Sequence, residues 1–157
     1  MILPVTLTIA AAAAVVNLWL AFRIVPMRVK GNVLIGDNGD ARLQGRMRAH
    51  ANFTEYAPFI LILIGLIELA EGSTLWLWIA GAVFVIARVA HAFGMDRTTS
   101  SLPRAGGALA TWALMALLAG WALTIAVLHN AGAAALVLTR ASVAERLRSG
   151  IAGLGIP

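Results

Sequence analysis

Seven side chains in this chain are of the types that hold or activate a small anion. They comprise three guanidinium groups, a carboxylate, an amide, a phenol and an imidazole: Arg48, Asn52, Glu55, Tyr56, Arg88, His91 and Arg104. At about 100° per residue, positions 48, 52 and 55 share one face of a helix, and positions 88 and 91 share a face of another. Since arginine binds carboxylates through two parallel hydrogen bonds, the set suits an anionic ligand.

The amino-acid composition indicates whether these side chains belong to a soluble domain or to a membrane protein. Hydrophobic residues make up 61% of the chain and charged residues 12%, with a mean hydropathy of +0.87, whereas a soluble domain carries about 25% charged residues. A soluble helical bundle would also need polar helix faces, which segments 2–22 and 105–128 lack. The chain is therefore predicted to be an all-α integral membrane protein. Because it has no cysteine, any reactive thiol would have to belong to a substrate.

Four apolar segments are predicted to form a transmembrane bundle in up-and-down order, since the loops between them are short. Their predicted ranges are 3–22, 41–71, 74–93 and 103–128. The first is not expected to be a cleavable signal peptide, because it has no basic amino-terminal region and runs into Arg23. Asp40 is the expected N-cap of the second helix. The acidic loop before it does not have the ligand spacing of a calcium-binding EF-hand, and no metal site is predicted.

The chain is expected to have two parts and a fixed orientation in the membrane. Residues 1–128 form the four-helix transmembrane domain, and residues 129–157 form a tail containing a short amphipathic interfacial helix at 134–149. Nine basic residues fall on one side of the predicted bundle: Arg23, Arg28, Lys30, Arg42, Arg46, Arg48, Arg88, Arg97 and Arg104. The positive-inside rule places that side, with the first and third loops, in the cytoplasm. The grouped charge argues for topology and anionic ligands, with no nucleic acid partner.

Two of the predicted helices have short apolar runs, and this constrains their polar residues. The uninterrupted runs 57–67 and 74–87 contain 11 and 14 residues, fewer than the about 20 that span a bilayer core. The flanking polar side chains must therefore face one another or a wet cavity. Either Glu55 pairs with Arg88 or Arg48 in a structural cluster bridged by an amide, or the cluster is an anion site; composition leaves both open. Glu68, near the opposite membrane face, is expected to be structural or interfacial, and the tryptophans to be interface anchors or packing residues.

Two motifs resemble one known family. The pattern R-x-x-x-N-x-x-E-Y-x-P at 48–58 and the pattern R-x-x-H-x-x-G at 88–94 resemble the MAPEG superfamily, the membrane-associated proteins in eicosanoid and glutathione metabolism. The string RAHANFTEYAP is similar to that of bacterial members, and the resemblance covers residues 1–128. It implies a four-helix protomer of a bacterial inner membrane, a homotrimer, and glutathione as co-substrate bound between protomers near the cytoplasmic side.

The resemblance also implies roles for individual residues. The glutathione-binding positions carried over by motif are Arg48, Asn52, Glu55, Tyr56, Arg88 and His91, with Arg28, or alternatively Arg23, as a further arginine after the first helix. Arg104 resembles the catalytic arginine that stabilises the thiolate. Many eicosanoid-forming members carry a tyrosine where this chain has Met95, which argues against eicosanoid synthesis but not against glutathione binding.

The function expected from the resemblance is that of a membrane-embedded glutathione transferase, with glutathione peroxidase activity as a further reaction. It would conjugate the glutathione thiolate to a lipophilic small molecule that arrives through the lipid bilayer. The alternatives are a non-catalytic lipid-binding or scaffold protein of the same fold, and a plain structural bundle. A test of glutathione binding distinguishes the glutathione transferase from the lipid-binding or scaffold protein and from the structural bundle.

Overall fold

Four long helices account for most of the described chain. In the computed structural model, the backbone is described for residues 2–97 and 99–153, and side chains are described as far as residue 132 and at a few positions between 136 and 142. The helices are α1 (Pro4–Gly31), α2 (Ala41–Glu71), α3 (Leu75–Gly94) and α4 (Leu102–Gly153). Each contains a stretch long and apolar enough to cross a membrane, which in α4 is Leu102–Gly132. The predicted all-α, multi-pass membrane fold is confirmed.

Helix α1 continues beyond its predicted end. It passes Arg23, includes Pro26 and ends only at Gly31, so the predicted end of the first helix at residue 22 was wrong. Asn32 takes a left-handed conformation with φ of 50°, and its N–H donates to carbonyls of the last turn. A left-handed residue of this kind is a common helix terminator, whereas a proline removes only one hydrogen bond.

The limits of α2 and the start of α3 follow local capping signals. Asp40 accepts hydrogen bonds from the backbone N–H groups of Arg42 at 2.9 Å and Leu43 at 3.1 Å, which confirms it as the N-cap of α2. Thr74 accepts from Leu77 N at 3.3 Å and starts α3 one residue later than predicted. These side chains satisfy N–H groups that have no partner inside the helix.

Helix α4 is much longer than predicted. It ends at Gly153 instead of Leu128, so the predicted helix end was wrong. The chain forms two compact units, residues 1–121 and residues 122–157, and the second contains the remainder of α4. The predicted amphipathic helix at 134–149 has helical backbone, but most of its side chains lie outside the described residues. The division of the chain at residue 128 stays a prediction.

At one end of the first unit, the side chain of Glu68, near the end of α2, connects α2 to the start of α1. Its carboxylate accepts hydrogen bonds from Val5 N at 2.9 Å, Thr6 N at 2.8 Å, Thr6 Oγ1 at 2.6 Å and Ser73 Oγ at 2.7 Å. Glu68 is therefore buried as the cap of α1, in the structural role that the sequence predicted. The contact also shows that the start of α1 adjoins the end of α2, as an antiparallel order requires.

At the other end, which we call the charged end, the last turns of α1 and α3 meet the first turns of α2 and α4. Arg23 of α1 and Arg46 of α2 both contact Asp96, just after α3. In the middle of the unit, the rings of Phe53 and Phe84 stack with centroids 6.1 Å apart. The charged end carries the predicted site residues, and its placement in the cytoplasm remains a prediction.

Candidate functional site

A cavity of about 450 Å³ opens at the charged end, within the range of about 300–1,000 Å³ that is usual for small-molecule sites. We call it the basic cavity. It is lined by Arg48, Asn52, His91, Met95, Ser100, Arg104, Ala105, Ala108 and Trp112. Four of the seven residues singled out in the sequence are thus brought together, from α2, α3 and the start of α4. The lining contains two guanidinium groups and no carboxylate, so the cavity is electrostatically suited to an anion.

Arg88 lies buried behind this lining and connects three helices. Its Nη1 donates to Asn52 Oδ1 at 2.6 Å, and its Nη2 donates to the Gly107 carbonyl at 2.9 Å. Only 2% of Arg88 is exposed, and its Nε has no hydrogen-bond partner among the described residues. Arg88 therefore fixes the orientation of the Asn52 amide at the cavity wall, and it does so without a carboxylate within ion-pair distance in the described chain.

His91 is held in one orientation by the backbone of α4. Its Nδ1 donates to the Arg104 carbonyl at 2.8 Å. Because a carbonyl oxygen only accepts, Nδ1 carries the proton, and in the neutral ring Nε2 is then an acceptor. His91 is almost fully buried, so it presents a defined hydrogen-bonding edge next to Arg104.

The close approach of α3 and α4 that makes these contacts depends on Gly107. A Cβ atom at this position would lie 2.5 Å from the Ala87 carbonyl oxygen and 2.7 Å from His91 Cβ. Both distances are far below normal contact, and one of the two partners is backbone. At the neighbouring Gly106, a Cβ atom would meet nothing within 4 Å.

We expect Gly107→Ala to push α3 and α4 apart and to destabilise the protein by about 1–3 kcal/mol, the usual range for overpacking. Gly106→Ala is the matched control, and it should not destabilise the protein but leave stability unchanged or raise it by up to about 1 kcal/mol, because alanine is the better helix former. The measurement is the unfolding free energy in mixed micelles, followed by circular dichroism. Equal effects of the two substitutions would contradict the packing described here.

The other predicted residues do not line the basic cavity of this chain. Glu55 is exposed and Tyr56 is half-buried on α2, and neither lines the cavity. The ion pair of Glu55 with Arg88 or Arg48, one of the two alternatives that the sequence left open, is not formed among the described residues of this chain. The amide bridge predicted with it is present, because Arg88 takes Asn52 as its partner.

Arg28 lies elsewhere, at the end of α1. Its Nη1 donates to the Leu34 carbonyl at 2.8 Å, and its Nη2 contacts Met47 Sδ at 3.4 Å. It lines a separate cavity together with Met47 and His50. The structure of this chain therefore does not bring Arg28 together with Arg48 and Arg104.

Several residues of the site were not singled out in the sequence. The most informative are Gly107, through its carbonyl, and Ser100 and Trp112, which line the cavity. Positions 104, 108 and 112 follow a spacing of four and share one helix face, so that helical periodicity from Arg104 would have found Trp112. No comparable sequence pattern would identify the Gly107 carbonyl, because it is a backbone group.

A second cavity, which we call the apolar cavity, lies between α3 and α4. It measures about 680 Å³ and is lined by Trp76, Ile79, Ala80, Val83, Ala110, Ala113, Leu114, Leu117, Leu118 and Trp121. Trp121 Nε1 donates to Glu71 Oε2 at 3.0 Å, which fixes the ring with its polar edge toward the end of α2. A lipophilic molecule would suit this lining.

The region of the chain that is similar to known proteins includes the helices that form the site. The sequence model described as the MAPEG family matches residues 6–124. The chain is also 29% identical over 109 residues to the inner membrane protein YecN of Escherichia coli strain K12, a match that spans 69% of this chain and 82% of that protein. The corresponding protein of Escherichia coli O6:H1 matches with the same identity and coverage.

Proposed function

This chain belongs to the MAPEG family, and we propose that it is a membrane-embedded glutathione transferase that joins the glutathione thiolate to a lipophilic electrophile. The observation that supports this most directly is the basic cavity. It presents Arg48, Arg104, Asn52 and His91 to one ligand-sized space with no carboxylate in its lining. An anionic ligand supplies the negative charge that this set of side chains lacks.

Glutathione matches the cavity group by group. It has two carboxylates and one ammonium, and a guanidinium binds a carboxylate with two parallel hydrogen bonds. In the proposal, Arg48 takes a carboxylate, and the Asn52 amide, held by Arg88, takes a peptide group. Glu55 is exposed on α2, and it binds the ammonium at a site completed by a neighbouring protomer.

A homotrimer is part of this proposal. Tyr56 and Arg28, like Glu55, lie outside the basic cavity of their own protomer, and the proposed trimer brings them to glutathione from the adjacent chain. The described contacts of Arg28 with two loop carbonyls hold its guanidinium at the surface of the charged end, where such a neighbour would meet it.

Arg104 is the proposed catalytic residue. A free thiol has a pKa of about 8.5 and is mostly protonated at neutral pH. The Arg104 guanidinium stabilises the thiolate, which then attacks the electrophilic carbon. A carbon–sulfur bond forms, the bond to the leaving group breaks, and the leaving group departs with the electron pair. Reduction of a lipid hydroperoxide by two molecules of glutathione, which yields the alcohol, water and glutathione disulfide, is the further reaction that the same thiolate would support.

The electrophile reaches the protein through lipid in this proposal. The apolar cavity is built from α3 and α4, the same two helices that supply His91 and Arg104 to the basic cavity. A lipophilic molecule that partitions into the bilayer therefore meets the helices that carry the thiolate site without passing through water.

Binding of glutathione tests the proposal. Glutathione at 100 times its Kd should add about 2.7 kcal/mol of stability to the detergent-purified protein. Arg48→Ala should weaken binding about 10–100-fold, because a charge-assisted hydrogen bond contributes about 1.5–3 kcal/mol. Calorimetric titration measures the affinity.

Arg42→Ala is the control for this experiment. Arg42 is an exposed arginine at the start of α2, and it does not line the basic cavity. Its substitution should leave glutathione affinity unchanged. If the parent protein gives no heat and no thermal shift with glutathione, the proposed function is wrong.

The apolar cavity supports a second candidate function, that of a non-catalytic lipid-binding or scaffold protein. At about 680 Å³ it is larger than the basic cavity, and an acyl chain would fit its lining. This candidate predicts that phospholipid raises the melting temperature of the purified protein while glutathione does not. The same melting assay therefore distinguishes a lipid-binding protein from a glutathione transferase.

A further inference from the structure

Asp96, in the loop that follows α3, joins side chains from two other helices. Its Oδ1 accepts from Arg46 Nε of α2 at 2.9 Å, and its Oδ2 accepts from Arg23 Nη2 of α1. We propose that Asp96 is a positioning residue, which holds the loop between α3 and α4, and with it Met95 and Arg104, at the wall of the basic cavity. The proposal rests on the proposed function, since it assigns a task to a residue that does not itself line the cavity.

The two arginines that hold Asp96 are themselves fixed. Arg23 Nη1 donates to the Ala92 carbonyl at 3.3 Å, and its guanidinium carbon lies 4.7 Å from the centroid of the Trp19 ring. Arg46 Nη1 donates to the Arg23 carbonyl at 2.8 Å. Both side chains are largely buried, with 11% and 18% of their surface exposed. Because the arginines are already ordered, the loop is attached to a rigid support.

Met95 is the direct link from Asp96 to the cavity. It precedes Asp96 in the chain and lines the basic cavity. Its carbonyl oxygen lies so near Gly45 of α2 that a Cβ atom at residue 45 would overlap it. Two sets of contacts therefore hold the segment of Met95 and Asp96: the packing of Met95 against the backbone of α2, and the hydrogen bonds of the Asp96 carboxylate.

The same loop fixes the start of α4. A Cβ atom at Gly94 would lie 2.7 Å from Arg104 Cα, so the two backbones touch. Ser101 Oγ donates to the Gly94 carbonyl at 3.1 Å, and the Arg104 carbonyl accepts from His91. Asp96 connects the loop between these contacts to α1 and α2. It therefore positions Arg104 relative to α1 and α2 as well as to α3.

A purely structural role for Asp96 would have a different signature. Loss of an ion pair that only stabilises the bundle lowers the melting temperature, but the molecules that remain folded turn over glutathione with unchanged kcat and an unchanged pH profile. Loss of a positioning residue changes the mobility of the loop and the kcat of folded molecules. The absence of cysteine in the sequence allows the loop to be observed directly, because a single cysteine at the exposed position Thr99 takes one spin label.

We expect Asp96→Asn to increase the mobility of the label at residue 99 and to lower kcat for glutathione conjugation about tenfold near pH 6.5, with the KM for glutathione changed much less, because a displaced Arg104 stabilises the thiolate less well. The loss should shrink as the pH approaches about 8.5, where the free thiol is itself ionised. Asp96→Glu should restore most of the kcat. Arg46→Gln, which removes one of the two hydrogen bonds, should give an intermediate kcat. It serves as the second variant if Asp96→Asn does not fold.

Asp37→Asn is the matched control, because Asp37 lies in the loop before α2 and forms no ion pair with an arginine among the described residues. It should change neither the label spectrum nor kcat. An immobile label in Asp96→Asn, or a mobile label with unchanged kcat, overturns the proposal. Failure of the proposed function has a separate signature: the parent protein does not bind glutathione, while the label still reports whether Asp96 holds the loop.

Discussion

Arg104→Ala should lower kcat for glutathione conjugation by about 50–100-fold near pH 6.5, while the affinity for glutathione changes by less than tenfold. The reason is the ionisation of the bound thiol. If the guanidinium lowers the thiol pKa by about 2 units from about 8.5, its removal leaves about 1% thiolate at this pH. Arg104 is exposed at the start of α4 and lines the basic cavity, so its truncation opens no void in the core. The assay is steady-state turnover of a generic aryl halide by the detergent-purified protein.

The pH dependence gives this prediction its sharpest test. The deficit of Arg104→Ala should shrink as the pH rises, and it should nearly vanish above about pH 8.5, where the free thiol is itself ionised. Arg104→Lys keeps the charge and should retain an intermediate rate. Arg97→Ala removes an exposed arginine of the neighbouring loop that does not line the cavity, and it should behave like the parent. A deficit of the same size at every pH would refute the thiolate role.

Glu68→Ala should have the largest effect on stability, about 3–5 kcal/mol, because a buried donor that loses its acceptor costs about 1–3 kcal/mol. The carboxylate accepts from two backbone N–H groups of α1 and from two hydroxyl groups. After truncation, the N–H groups of Val5 and Thr6 have no acceptor in a membrane-embedded helix end. The unfolding free energy in mixed micelles measures the loss.

Two further variants define this effect. Glu68→Gln keeps one acceptor oxygen but places an amide N–H against a donor, so it should cost roughly half as much. Glu71→Gln is the control, since Glu71 is exposed and accepts a single hydrogen bond from Trp121. If Glu68→Ala were no more destabilising than Glu71→Gln, the capping role would be wrong.

The helix limits that depend on local signals were predictable from the sequence. Asp40 has the side chain of an N-cap and caps α2 as expected. The end of α1 was not predictable in the same way, because Pro26 and Arg23 resemble a stop, whereas the helix ends at the left-handed Asn32. The polar residues after Leu128 similarly suggested an end, but polar residues do not break a helix, and α4 continues.

The candidate site was predictable to the extent that helical spacing determines it. Arg48 and Asn52 are four residues apart and line the same cavity, which their spacing implies. The exposure of Glu55 was not predictable, because it depends on how α2 is rotated against its neighbours. The contact between Arg88 and the Gly107 carbonyl requires the two helix backbones to meet at Gly107 and not at Gly106, which sequence spacing does not distinguish.

The cap that Glu68 places on α1 has a consequence for biogenesis. The first amides of α1 are synthesised 62–63 residues before their acceptor, and the hydrocarbon core offers no substitute. A nascent chain in which only α1 has left the translocon therefore has an unsatisfied amino-terminal turn, which is stable only at the hydrated edge of the bilayer. We therefore expect the first and second helices to reach their final depth together, as a hairpin, once α2 has emerged from the ribosome.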